Sequence, residues 1–60
     1  MSENQQNDFV ATAFYEEALS TCRAYSLVDA LAFGRAAIRQ GWHSVDINDM
    51  DGNLVHRMQQ

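Results

Sequence analysis

The chain has 60 residues, with eight Asp and Glu against four Arg, no Lys, and a formal net charge of −4. That length holds one domain at most, and the acidic balance excludes the basic footprint of a nucleic-acid binder or of a protein held on an anionic membrane. Cys22 is the only cysteine, so no disulfide can form within the chain, and a lone thiol fits a reducing compartment.

The N-terminal "MSENQQND" has no basic start and no apolar run, so it does not resemble a signal peptide. No apolar stretch approaches the ~20 residues that a membrane span requires. Together with the thiol, these features predict a cytoplasmic protein. Residues 1–8 are polar after Met1 and read as a disordered tail, leaving 9–60 as one small domain. A chain this short buries a small share of its surface. One core of this size supplies on the order of 3–5 kcal/mol. Self-association is the expected supplement.

"FVATAFYEEALSTCRAY", residues 9–25, supports two readings. As a helix, it places Val10, Phe14, Ala18, Cys22 and Tyr25 near one stripe. As strands, Phe9–Tyr15 and Leu19–Tyr25 flank a turn at Glu16, Glu17 and Ala18, with no Gly or Asn to assist it. Strands are preferred, because a single helix packs well on a larger antiparallel sheet and an isolated hairpin is marginal. Ser26 also needs non-helical backbone to cap the helix after it.

"SLVDALAFGRAAIRQG" reads as a helix. Ser26 stands at the N-cap with Asp29 three residues on, close to a capping box. Asp29 near the start and Arg35 and Arg39 toward the end suit the helix dipole. Gly41 is placed for a C-terminal cap. Leu27, Leu31, Gly34 and Ile38 form one stripe, with Ala30, Phe33 and Ala37 beside it. Gly34 costs about 1 kcal/mol relative to Ala, which points to close packing against a sheet. Val28, Ala32 and Ala36 make the back of the helix unusually apolar, either because alanine suits any helix or because a second surface is covered there.

"HSVDINDMDGNLVHRM" alternates and turns at Asp51-Gly52, a hairpin signal. A two-residue loop sets Asp46 opposite Arg57 and Ile47 opposite His56. A three-residue loop ending in Gly52 sets Ile47 opposite Val55 and Asp46 opposite His56. The second pairs two β-branched residues and is preferred. The predicted fold is therefore α+β, a ββαββ domain: a four-stranded antiparallel sheet with one helix across a face. The alternative is two helices followed by a β-hairpin.

No stretch carries a catalytic motif. "DINDMDGN" packs three carboxylates and a glycine into eight residues. A calcium loop with Gly52 at its sixth position would need ligands at Ile47 and Met58, so the cluster reads as a structural turn. His43, His56 and Cys22 lack zinc-ligand spacing. Cys22 has no cation on its own strand face to make it a thiolate, because Arg23 would point the other way. Glu16 and Glu17 flank a turn and form no acid–base pair on one face. A domain of this size leaves little room for a pocket of ~300 Å³ or more. No enzyme and no cofactor are predicted.

The remaining signal is apolar surface. One helix covers one sheet face, yet the first strand carries Phe9, Ala11, Ala13 and Tyr15 on one side and Val10 and Phe14 on the other. Aromatic and Arg residues without Lys are an interface composition. The expected function is a small acidic, non-enzymatic protein–protein interaction module. It is expected to form a homodimer and to bind another protein, with Phe9, Tyr15, Val28, Ala32, Arg35, Ala36 and Arg39 as candidate interface residues. By size and charge alone it suits a phage- or plasmid-type inhibitor or a small bacterial regulator. If the helix back dimerises, Ala32→Glu should act; if the sheet does, Tyr15→Glu should. The competing class is a ligand- or metal-binding module using His43, His56 and the acidic turn.

Overall fold

A computed structural model describes residues 8–60. The order is β1 (Phe9–Tyr15), β2 (Ala18–Ala24), α1 (Leu27–Arg39), β3 (Ser44–Asp49) and β4 (Leu54–Gln59). The four strands form one antiparallel sheet in the order β2-β1-β3-β4, with α1 across one face. This is the preferred ββαββ fold, and the alternative with two helices is not what the chain adopts. Residues 1–7 of the expected tail lie outside the described residues. Asp8, placed in that tail by sequence, is only 7% exposed and pairs with Arg23 across 15 residues.

Segment 9–25 forms a hairpin whose pairing runs from Phe9↔Ala24 to Tyr15↔Ala18. Without Gly or Asn at the turn, Glu16 itself takes the left-handed conformation, with φ 53°. That conformation costs an L-residue roughly 1–2 kcal/mol, which pairing along both strands offsets. Ser26 is extended, and its Oγ accepts from the Asp29 N–H at 3.1 Å, as an N-cap does. At the other end, Gly41 has φ 107°. Its N–H donates to Ile38 O, and the Trp42 N–H donates to Ala37 O, both at 3.1 Å. These two bonds are a Schellman motif, and they fold Trp42 back onto the core.

The core lies between α1 and the middle strands. It consists of Ala11 and Ala13 of β1, Ala24 of β2, Ala30 and Ala37 of α1, and Val45 and Ile47 of β3. Val45 and Ile47 are its largest fully buried side chains. Alanines on both sides let the helix sit close to the sheet, at the cost of little apolar area per residue. Gly34 belongs to the same contact. A Cβ there would meet Met58 Sδ at 2.8 Å and Cε at 2.9 Å. Met58 is flexible at that end and can move, and alanine gains about 1 kcal/mol of helix propensity. Gly34→Ala is therefore expected to change stability by less than about 1 kcal/mol, whereas Gly34→Leu overpacks the contact and should cost about 1–3 kcal/mol. Urea denaturation of both variants checks this; equal midpoints would mean that Met58 is not against the helix.

The β3–β4 hairpin combines both expected registers. Its loop is the three-residue one, closed by Asp49 N–H to Asn53 O at 2.9 Å and ending in Gly52 with φ 89°. Next to the loop Asn48 pairs with Leu54, the preferred register. A bulge then absorbs Val55, so that Ile47 pairs with His56, Asp46 with Arg57 and Val45 with Met58. The preferred pairing of Ile47 with Val55 is thus corrected. Without the bulge, Arg57 would stand opposite buried Val45 and Met58 would face away from the helix. With it, Met58 packs on the core and Arg57 reaches Asp46 on the outer face, through two bonds of 2.7 and 3.1 Å. The slip of one residue exchanges faces, and burial of Met58 rather than Arg57 decides it.

Candidate functional site

Partners across the ladders share a face of the sheet. Ala11, Ala13, Val45 and Ile47 are buried beneath α1. The alternate residues therefore line the opposite face, which no element of the described residues covers. There Leu19, Phe14 and Ser44 form one row, Thr21, Thr12 and Asp46 a second, and Arg23, Val10 and Asn48 a third. Leu54 extends the third row and Arg57 the second. Leu19 is 61% exposed and Leu54 53%, with Phe14 partly covered by its neighbours. The charges of this face are matched: Arg57 bonds Asp46, and Arg23 bonds Asp8 through Nε at 3.2 Å. Each carboxylate raises the pKa of its arginine, first by the hydrogen bond and then by its charge. Val10, Phe14 and Leu19 lie over β1 and β2, Leu54 lies on β4, and the Asp46–Arg57 pair joins β3 and β4.

A helix about 10 Å wide cannot cover a sheet of four strands spaced about 4.8 Å apart. Open hollows flank it as a result, which corrects the expectation that a chain of this size leaves little room for one. The first, about 400 Å³, is lined by Tyr15, Ala18, Gln40, Gly41 and Trp42. Tyr15 meets Trp42 edge-on at 6.3 Å between ring centroids and His43 at 4.7 Å. The second, about 500 Å³, lies between α1 and β4, lined by Arg35, Ile38, Arg39 and His56 to Gln59.

The candidate interface residues separate into three groups. Val28, Ala32, Arg35, Ala36 and Arg39 lie together on exposed positions of α1, Val28 being 74% exposed. Tyr15 shares the helix side of the sheet with Ala13, against Trp42 and His43. Phe9 is on that side too, packed on the core. Neither lies on the uncovered face, so a sheet-dimer test belongs at Phe14 rather than Tyr15. Sequence reasoning named Arg35 and Arg39 as interface residues and His56 only for the competing ligand- or metal-binding class, and it missed Met58 beside them, because the preferred register turned both β4 residues outward.

The acidic turn serves its own backbone. Asp49 Oδ1 accepts from the N–H groups of Asp51 and Asn53, each at 2.9 Å, and Oδ2 from Asn53 Nδ2 at 3.3 Å. These donors hold the Asp49 carboxyl below the usual carboxylate range, the Asn53 N–H foremost. A depressed carboxylate stabilises the fold above its ordinary value, about pH 4, and that contribution is lost as pH falls through the lower folded value. Asp49→Asn should therefore flatten the fall of melting temperature below about pH 4. An acid profile identical to that of the parent would contradict the role of the turn bonds.

His43 and Asp49 stand at opposite ends of β3, while His56 pairs with Ile47. His43 is thus separated from the His56 row by about 13 Å of strand. Among the described residues no three His, Cys, Asp or Glu side chains converge as a metal site would require. Cys22 is half-buried on the helix side, and Arg23 points to the other face. Among the described residues no helix is long and apolar enough to cross a membrane.

In comparisons with family models, curated proteins and solved structures, the chain matches none of them. What defines its class is the architecture: an open-faced α+β sheet with one helix, an uncovered face that carries apolar side chains among paired charges, and a cationic hollow at one edge.

Proposed function

We propose that the protein is a small, non-enzymatic protein–protein interaction module that works as a homodimer, two copies packing through the uncovered faces of their sheets. The observation that carries this reading is the exposure of Phe14, Leu19 and Leu54 on that face, while Val45 and Ile47 are the largest side chains fully buried. A second copy supplies the missing layer, since a sheet face buries its apolar groups against another layer.

Charge favours the sheet face over the back of the helix. A two-fold contact along the back of α1 would bring Arg35 and Arg39 near their own copies, and like charges there oppose association. The sheet face carries its charges as internal pairs and has no such conflict. Its extent is roughly 20 Å by 20 Å. Two copies would bury on the order of 1,000 Å², the low end for specific interfaces, which corresponds to a weak, dissociable dimer. Small size and a lone half-buried thiol support a cytoplasmic role, and an acidic miniature of this kind suits a phage- or plasmid-type inhibitor or a small bacterial regulator.

Sedimentation velocity from micromolar to millimolar protein tests the dimer. The parent should pass from monomer to dimer, Phe14→Glu should stay monomeric, and Ala32→Glu should behave as the parent. A parent monomeric at every concentration overturns the reading. Loss of the dimer in Ala32→Glu alone would move the contact to the helix.

A further inference from the structure

The hollow between α1 and β4 is unlike the rest of this acidic molecule. Arg35 and Arg39 line it together with His56, and Arg57 borders it from β4 with its guanidinium turned to the outer face. Arg57 is neutralised by Asp46. Among the described residues Arg35 and Arg39 have no ion-pair partner. Ile38 and Met58 give the hollow an apolar floor. One wall is β4, an edge strand of the sheet. An edge strand offers a row of backbone N–H and C=O groups to a further strand. We propose that this hollow docks an extended acidic segment of a partner protein, which adds to β4 as a fifth strand and sets two carboxylates against Arg35 and Arg39.

The spacing supports an extended acidic occupant. Arg35 and Arg39 are four residues apart on a helix, a rise of about 6 Å. Side chains on one face of a strand recur every two residues, about 6.6 Å apart. A segment with carboxylates at alternate positions along the hollow can therefore give one to each guanidinium. Arginine binds carboxylate through two parallel bonds. Backbone pairing supplies affinity and alternate side chains supply specificity, the usual division of labour in strand addition.

Other occupants fit less well. A second copy joined β4 to β4 would bring the same arginines together across the two-fold axis. A nucleic acid would find no Phe, Tyr or Trp in this hollow on which to stack a base, and a chain of net charge −4 around it. The proposal rests on the reading of the protein as an interaction module, but not on the sheet dimer, which uses the opposite face.

The test is a titration of the ¹⁵N-labelled full chain with a six-residue capped peptide of alternating Glu and Val, its Lys and Val twin, and an oligothymidylate. The acidic peptide should saturably shift the β4 amides His56 to Gln59 and the side-chain Nε–H signals of Arg35 and Arg39, and slow hydrogen exchange of the β4 amides. The Lys twin and the oligonucleotide should not. The double variant Arg35→Glu, Arg39→Glu should bind the acidic peptide at least tenfold more weakly and should gain binding of the Lys twin. These substitutions are on exposed positions, and the spectrum of the free variant reports whether it is folded. Unmoved β4 amides at millimolar acidic peptide would overturn the proposal, as would equal binding by the folded double variant. Arginine shifts without protection of β4 would overturn strand addition, and saturable oligonucleotide binding at the same residues would overturn the protein partner. Sedimentation of the double variant reports on the sheet dimer separately, and that dimer should persist.

Discussion

Replacing Ile47 by alanine is expected to remove much or all of the protein's stability at 25 °C. Ile47 is wholly buried, in a core whose other large fully buried side chain is Val45. Truncating a buried Ile to Ala costs about 2–5 kcal/mol through lost transfer energy and the cavity left behind. The total from one core of this size is on the order of 3–5 kcal/mol, so the loss is comparable with the whole. The surrounding alanines cannot close the gap, because they have no side-chain length with which to reach into it. Ile47→Val removes one methyl group and should cost about 0.5–1.5 kcal/mol, a fall in melting temperature of roughly 4–12 °C for a domain this small. Circular dichroism melts of both variants at one protein concentration make the comparison. A melting temperature of Ile47→Ala within a few degrees of the parent would show that the core is not centred on β3.

Exchanging Arg57 and Met58 should have an effect of similar size, although composition and charge stay the same. In the double variant Arg57→Met, Met58→Arg, the bulge at Val55 directs the arginine toward Gly34, where a Cβ on the helix would already meet the Met58 side chain within 3 Å. An arginine there removes the packing of half-buried Met58 on the core and brings a further positive charge toward Arg35 and Arg39 in the same hollow, together a cost of about 2–4 kcal/mol. Asp46 loses both bonds from Arg57 at the same time. Most of the folded signal should disappear from the amide spectrum. In a hairpin without the bulge, the same exchange would improve the pattern, because the methionine introduced at position 57 would face the core. Stability equal to or above that of the parent would therefore contradict the bulge.

These two substitutions also mark what was legible in the sequence. The helix was, because its signals are local: the Ser26 cap, the Gly41 stop and the stripe through Gly34 each depend on neighbours within a few residues. The loop at Asp51-Gly52 was legible for the same reason. The register beyond it was not. A β-branched pair of Ile47 with Val55 is a sound local preference, yet packing of Met58 against a helix far away in the chain overrides it. The first hairpin was legible only through its context, since its turn uses Glu16 in a conformation that sequence rules assign to Gly or Asn. The two-sided character of β1 was legible, but not which side the helix covers. For that reason Tyr15 and Phe9 were grouped with a surface to which neither belongs. The cationic hollow combines α1 with β4, and its residues become neighbours only once the bulge sets the register.

Pairing of two copies through the uncovered sheet face is tested most directly by an isotope-filtered nuclear Overhauser experiment. The sample is an equal mixture of ¹³C-labelled and unlabelled protein at millimolar concentration. Intermolecular contacts are expected among the side chains of Val10, Phe14 and Leu19. Intermolecular contacts confined to Val28, Ala32 and Ala36, or none at all, would contradict a dimer built on the sheet.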